Sequence, residues 1–431
     1  MIVIGVAFAI LLVIGVPIAF VFGAAAVVAV VSADLPLVVV AHRFYSGLND
    51  FTLMAIPFFL LAGMLMDAGG MSKRIVDFAM TLVGWITGGL YMVSIVAATA
   101  IAAMSGSGSA DTAVVSAVMQ PELRRRKYNI DFSAALIATA GSLAQIIPPS
   151  MMLVLIGVLN NLSIGALFLG GVVPGLLVVP GLLLVAYLHA RRNGPFEAAA
   201  AKVSIGTKLS EVGRTFVAAV PAFGLGVIIS GGIFSGLVTP TESAAVGVVY
   251  AILVGKFVYG ELQFRQIPGI ILKAGGFTAG IMMLVGGATI FNWIMAVEGI
   301  PALISDWIHL HVDGPLTFLL LVNVVLLVFG MPLESIAMIL LLSPVLLTAA
   351  ADFGINPVHF AVVFVFNSVI AMISPPFGGT LFVAAIVAKR PISAVTRYIY
   401  WPWAVMCAVL LLITYVPELV LWLPRAAGFI R

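Results

Sequence analysis

Charge is scarce in this chain: of its 431 residues only 9% are Asp, Glu, Lys or Arg, while 63% are hydrophobic. A water-soluble domain must cover itself with polar side chains, so this composition excludes one. Cysteine is nearly absent, and the single Cys407 excludes a disulfide framework and a thiolate metal site. No glycine-rich phosphate loop occurs, and no polar stretch is long enough for a nucleotide-binding domain, which excludes an ATP-driven pump. The five histidines show no metal-ligand spacing. A formal net charge of +3, dispersed over short loops, gives no nucleic-acid partner. Met1-Ile2 opens directly on apolar sequence without the basic stretch of a signal peptide, so the first segment is expected to remain in the mature protein.

What the chain has instead is long apolar runs, each able to cross a hydrocarbon layer of roughly 30 Å. Basic residues cluster at Lys73-Arg74, Arg124 to Lys127, Arg191 to Arg214, Lys256 to Lys273 and Lys389 to Arg397. The excess of Lys and Arg on the cytoplasmic side places these together in the cytoplasm. The loops 33–50, 298–314 and 350–357 carry acids or histidines and one arginine, Arg43, and read as periplasmic. Spans at 52–72, 130–160, 164–190, 215–237, 240–256, 274–297, 357–388 and 398–423 then alternate sides. Residues 1–31 read as two short spans or as one long helix, and the lack of N-terminal basic residues favours two.

Two stretches fail to cross. Residues 87–121 lie between two cytoplasmic clusters, and residues 315–349 lie between two periplasmic loops. Each has a small or helix-breaking centre, Ser105-Gly106-Ser107-Gly108-Ser109 in one and Gly330-Met331-Pro332 in the other. They are expected to be re-entrant helical hairpins entering from opposite faces, a geometry permitted only where protein buries it or a cavity receives it. Pro17 matches Pro240 and Pro121 matches Pro344 at an offset of 223 residues, and Pro148-Pro149 matches Pro375-Pro376 with a small slip. The expected architecture is an all-α polytopic membrane protein made of an inverted repeat, 1–190 and 215–431, joined by a cytoplasmic linker at 191–214. Each half contributes one hairpin and one Pro-Pro-broken helix, at 130–160 and 357–388.

Such repeats put their sites near the midplane, where broken helices meet. Proline has no N–H and displaces the carbonyl four residues back. Pro148 and Pro149 therefore release the carbonyls of Ala144 and Gln145, and Pro375 and Pro376 release those of Ala371 and Met372. An orphan carbonyl in hydrocarbon costs several kcal/mol, and a hard cation such as Na⁺ can satisfy it. Ser142, Ser374, Thr380 and the hairpin serines Ser105, Ser107 and Ser109 could add hydroxyl oxygens. The half-helices that start after Gly108, Pro149 and Pro376 direct unpaired N–H groups inward and suit a carboxylate. Ser107, Gly108, Ser109, Asp111, Ser142, Ser150, Gly378 and Thr380 are the candidate substrate contacts. Asp111, Glu242 and Glu334 are the acids expected at membrane depth, where each either couples an ion or caps a helix start. For Glu242, which follows Pro240 in Thr239-Pro240-Thr241-Glu242-Ser243, capping is the favoured role. Segments 73–86 and 300–312 read as amphipathic arms on the membrane surface.

The run Gly106 to Asp111 superficially suggests an intramembrane protease, but no histidine base is expected at membrane depth to activate a serine. A passive channel gives no reason for two opposed hairpins. The chain resembles the large membrane subunit of tripartite ATP-independent periplasmic (TRAP) transporters, within the wider ion-transporter superfamily. The resemblance runs along nearly the whole length. It rests on Ile56-Pro57-Phe58-Phe59 with Ala62-Gly63, Ser105 to Asp111, Ile147-Pro148-Pro149-Ser150, Thr239-Pro240-Thr241-Glu242 with Ala244 to Gly247, Gly330-Met331, and Ser374-Pro375-Pro376.

This resemblance implies an elevator-type symporter of the bacterial inner membrane, driven by sodium and carrying a small organic acid. A stand-alone sodium–carboxylate symporter of the same superfamily is the alternative. The implied partners are a small four-helix membrane subunit and a periplasmic substrate-binding protein, besides membrane lipid. The implied sodium ligands are Ser105, Ala144, Ile147 and Pro149 for one site, and Gly330, Ala371, Ser374 and Phe377 for the other. At 144 and 371 this chain has alanine where some members have glycine, which matters little for a backbone ligand.

Overall fold

The computed structural model describes residues 2–194, 205–331, 333–376 and 378–430, and every regular element within them is helical. The first half holds α1 (Ile2–Val13), α2 (Ile18–Ser32), α3 (Val38–Leu48), α4 (Ala55–Ala68), α5 (Met71–Val83), α6 (Gly89–Ser105), α7 (Gly108–Arg125), α8 (Ile130–Ser142), α9 (Met151–Leu159) and α10 (Ile164–Asn193). The second holds α11 (Ile205–Phe234), α12 (Pro240–Leu253), α13 (Ile267–Val297), α14 (Ile300–His311), α15 (Pro315–Gly330), α16 (Ser335–Asp352), α17 (Pro357–Ala371), α18 (Gly379–Ala388), α19 (Ile392–Tyr415) and α20 (Glu418–Ala426). Among the described residues, seven helices are long and apolar enough to cross a membrane.

Local chemistry sets the helix boundaries. Gly15, with φ of +85°, and Pro17 interrupt the first apolar run, so residues 2–32 form two short helices packed side by side. The two broken helices start alike. The Asn129 side chain caps α8 by accepting from the N–H groups of Asp131 and Phe132, both at 3.0 Å, and Asn356 does the same for α17 with Val358 and His359. The expected span 398–423 is two elements, because Val416 is non-helical and Pro417 cannot donate into the turn before it. The stretch 33–50, read as a loop, contains α3, an amphipathic helix with no buried residue, in which His42 and Arg43 interrupt the apolar pattern. Helix α11 begins within the expected linker, at Ile205.

Polar contacts gather the loops at two ends. Arg390 forks onto Asp131 at 2.6 and 2.7 Å, Arg124 donates to the Ala388 carbonyl, and Arg74 pairs with Glu261. All join clusters assigned to the cytoplasm. At the other end Ser305 donates to Asp352 at 2.9 Å, His309 lies 3.6 Å from the same carboxylate, and Arg43 sits over the Trp293 ring. Exposed pairs of this kind contribute only about 0–1 kcal/mol each, so they report topology more than stability. The first hairpin, α6–α7, therefore has its base at the end where the clusters assigned to the cytoplasm gather, and the second, α15–α16, has its base at the opposite end.

Packing relates the two halves by exchange. Hairpin α6–α7 packs against α8 and, through α7, against α18, while hairpin α15–α16 packs against α17 and, through α16, against α9. Each hairpin thus touches the first half of its own broken helix and the second half of the other. The same exchange holds outside, where α2 crosses α13 and α12 crosses α4. Glycines meet at both contacts: a Cβ on Gly287 would lie 3.0 Å from the Gly23 nitrogen where α2 and α13 cross, and one on Gly69, just past α4, would lie 2.8 Å from the Gly255 Cα, just past α12. Small residues let backbones approach where no hydrophobic force between helices exists.

Candidate functional site

The first break, between α8 and α9, is entirely buried. Its prolines remove two donors, and the structure shows what replaces them. Ser150 Oγ donates to the Gln145 carbonyl and accepts from the Leu153 N–H at 3.2 Å, so it caps α9. The Ala144 carbonyl receives no hydrogen bond from the described residues. At the second break, Ser374 N–H donates to the Ala371 carbonyl at 3.0 Å, and the Thr380 N–H and hydroxyl both donate to the Met372 carbonyl, at 3.2 and 2.9 Å. Of the four carbonyls expected to be free, three find donors; only Ala144 stays open.

Hairpin tips cover both breaks. Gly106, with φ of +67°, ends α6 so close to the first break that a Cβ there would lie 2.7 Å from the Pro149 carbonyl oxygen. A Cβ on Gly108 would meet the Gly141 carbonyl at 3.2 Å and the Thr380 methyl at 3.5 Å, so this residue joins the first hairpin to both broken helices. At the second break a Cβ on Gly330 would sit 2.5 Å from the Ala371 Cβ. Ser105, Ala144, Ile147 and Pro149 accordingly belong to one neighbourhood, and Gly330 and Ala371 to another. Phe377 and Pro332 lie outside the described residues.

The hydroxyls divide by role. Ser105 Oγ donates to the Asp111 carboxylate and accepts from the Ser107 N–H at 3.2 Å. Asp111 is fully buried, and its second oxygen has no partner among the described residues. Ser374 Oγ donates to the Ile370 carbonyl at 2.8 Å and accepts from the indole N–H of Trp403 at 2.9 Å. Ser142 turns away, back onto the Thr139 carbonyl at 2.8 Å. The Ser142 hydroxyl is thus engaged within α8, and the Ser150 hydroxyl bridges the break from the start of α9 to Gln145.

The acids correct the expectation. Glu242 is exposed and forms a capping box with Thr239, its carboxylate 2.8 Å from the Thr239 nitrogen, so it takes the capping role rather than lying buried beside the breaks. Glu334 stands at the start of α16 but makes no capping bond. It helps line a cavity of about 390 Å³ together with Ser109, Gly330, Met331, Leu333, Ser335, Ala371, Met372, Gly379 and Val383. This cavity joins the tips of the two opposed hairpins to the second break. The first turns of α7, α16 and α18 contribute Ser109, Ser335 and Gly379 to it. None of its described lining residues is a lysine or arginine.

Four features went unread or misplaced in the sequence. Gly63, in the Ala62-Gly63 pair, packs its α-carbon face on Ser105, where a Cβ would lie 3.3 Å from the Ser105 Cβ. The matched caps Asn129 and Asn356 share the spacing of the matched Pro-Pro pairs and were legible in principle. Trp403 gave no local signal. His359, placed beside a loop, is buried and its Nε2 lies 2.8 Å from the Ile413 carbonyl. Among the described residues no group of His, Cys, Asp or Glu could hold a metal.

Opposed hairpins, two broken helices and a cavity between the tips define a polytopic membrane transporter. Residues 5–419 match the family described as Tripartite ATP-independent periplasmic transporter, DctM component. The chain belongs to this family, and it is a multi-pass inner-membrane permease subunit rather than an enzyme. It is similar to the 2,3-diketo-L-gulonate TRAP transporter large permease protein YiaN of Escherichia coli K12, at 37% identity over 89% of each chain. It is 38% identical to the sialic acid TRAP transporter large permease protein SiaM of Vibrio cholerae, again over 89% of each chain. The isethionate TRAP transporter permease protein DctMQ of Oleidesulfovibrio alaskensis is 37% identical over 96% of this chain, which spans 64% of that relative's length. The fold resembles the crystal structure of the YdaH transporter of Alcanivorax borkumensis, with a TM-score of 0.60, 13% identity and 87% and 86% of the two chains covered.

Proposed function

We propose that the chain takes up a small organic acid by symport with sodium, receiving it from a periplasmic binding protein and working with a small membrane subunit. The cavity between the hairpin tips carries this reading. Three helix starts supply partial positive charge without a lysine or arginine among the described lining, which suits an anion that must also be released. The relatives named for 2,3-diketo-L-gulonate, sialic acid and isethionate have small organic anions as their common chemistry. Glu334, at the rim of the same cavity, would repel such an anion, and a bound cation would offset that repulsion.

Sodium would sit at each break under a hairpin tip. The open Ala144 carbonyl, with Ser105, Ile147 and Pro149 beside it, is one oxygen-rich niche. Gly330, Ala371 and Ser374 lie around the other. The hairpins and broken helices would move as one body against α2, α4, α11, α12 and α13, in an elevator motion of the half-repeats 1–190 and 215–431. The small subunit would pack on α13, where Gly275, Gly276 and Gly280 face open space and Leu272 and Phe277 are exposed.

Reconstituted with the small subunit and binding protein, the chain is expected to accumulate its organic acid only under an inward sodium gradient. Equal accumulation without sodium, at any proton gradient, overturns the coupling, and full uptake by the chain alone overturns the partners. The second niche has its own test. Ser374→Ala is expected to raise the half-saturating sodium concentration about ten- to hundred-fold, the effect of one lost bond to a charged partner. Trp403→Phe removes only the indole donor and is expected to shift it less than about threefold. Ser235→Ala, at an exposed hydroxyl bonded to the Gly232 carbonyl in the last turn of α11, serves as control. Equal shifts in the Ser374 and Trp403 variants would make the indole contact, not ion ligation, the reason Ser374 matters.

A further inference from the structure

A second cavity, of about 480 Å³, opens where the cytoplasmic ends of α10 and α19 meet the start of α8. Its walls change character with depth. Arg192, Asn193 and Arg397 stand toward the helix ends, while Val185, Leu188 and Trp401 continue along the apolar flank. Neither arginine has an ion pair among the described residues. The carboxylate carried by the start of α8, Asp131, is already held by both arms of Arg390. His189 stacks on Phe132 with ring centroids 3.6 Å apart and closes the cavity's inner wall. The Tyr398 hydroxyl accepts from Asn129 at 2.9 Å, which leaves its own proton to donate. Trp401 is 71% exposed, as an interfacial anchor would be.

We propose that this cavity binds the phosphodiester headgroup of an anionic phospholipid of the cytoplasmic leaflet. Two unpaired guanidinium groups match a phosphate in charge and in planar donor geometry. The Tyr398 hydroxyl adds a third donor. The apolar wall below distinguishes a lipid from a free anion, because the acyl chain follows Val185, Leu188 and Trp401 into the hydrocarbon. Basic pockets between membrane helices on this side are where anionic lipid headgroups are retained. The site lies apart from the cavity between the hairpin tips, and it joins α10, which closes the first half of the chain, to α19, the last long helix of the second.

The test uses the full chain, purified in mild detergent with its small subunit if one is retained, and titrated with phosphatidylglycerol, phosphatidylethanolamine or glycerol phosphate while thermal unfolding is followed. Phosphatidylglycerol is expected to raise the unfolding midpoint, with half-effect at a concentration roughly thirty-fold higher in the Arg192→Gln/Arg397→Gln variant. Arg192→Gln alone is expected to give an intermediate shift, which keeps the test usable if the double variant does not fold. Lys256→Gln changes a cation elsewhere on the cytoplasmic face, over the Phe264 ring, and is expected to leave the titration unchanged. An equal response to phosphatidylethanolamine, a response to glycerol phosphate equal to that for the lipid, or an equal loss in the Lys256 variant each overturns the proposal.

Discussion

Asp111→Asn is expected to weaken the apparent sodium affinity by about two orders of magnitude while the protein remains folded. The residue is fully buried, one carboxylate oxygen is held by Ser105, and the other has no partner among the described residues. A charge so placed is costly unless a cation or proton offsets it. An ion ligated by Ser105 would lie one hydroxyl away from this carboxylate. At a separation of about 5 Å and an effective dielectric of about 20, the attraction is about 3 kcal/mol, or roughly a hundredfold in affinity. Asparagine keeps the shape and an acceptor for Ser105 but removes the charge. Uptake measured against sodium concentration at matched expression checks this. An unchanged sodium dependence would leave Asp111 as the partner that orients Ser105 and nothing more. Ser105→Ala, which strips the carboxylate of its donor, is expected to be at least as damaging.

Gly330→Ala is expected to reduce uptake more than tenfold, and adding Ala371→Gly is expected to restore much of it. A Cβ at 330 would lie 2.5 Å from the Ala371 Cβ, a distance that forces the second hairpin off the break it covers. Overpacking in a tight core costs about 1–3 kcal/mol, and here the strain would open the ion niche itself. Alanine is otherwise the better helix former at this position, so a loss cannot come from propensity. Removing the Ala371 methyl returns the space. Uptake in the two single variants and the double variant decides the matter. A double variant as poor as Gly330→Ala would show that contact with Ala371 is not the reason position 330 needs glycine.

Much of this molecule was written in its residue types. Scarce charge and recurring apolar runs dictate a membrane protein because hydrocarbon admits nothing else. Lys and Arg placement gave the sidedness of the loops, and the contacts of Arg74, Arg124 and Arg390 gather those same clusters at one end. Proline acts locally, by lacking an N–H, so the breaks at Pro148-Pro149 and Pro375-Pro376 were readable before any packing was known. Helix α3 was not readable. It lies amphipathic with nothing buried, and its His42 and Arg43 have the look of a loop. Glu242 was half legible: its capping spacing was visible, its exposure was not.

The sequence by itself determined the membrane class, the two opposed re-entrant hairpins and the positions of the breaks, because each follows from one residue's own chemistry or from charge along the chain. Only the tertiary structure decided which released carbonyl stays open. Ser150, Ser374 and Thr380 reach the other three from turns whose path the prolines do not specify, and Ala144 is left without a donor. Trp403 meets Ser374 from another helix, and Ser109 and Gly330, from the two halves of the chain, line one cavity. Whether a buried oxygen is satisfied is a property of everything packed around it, and that sum exists only once the helices have closed on one another.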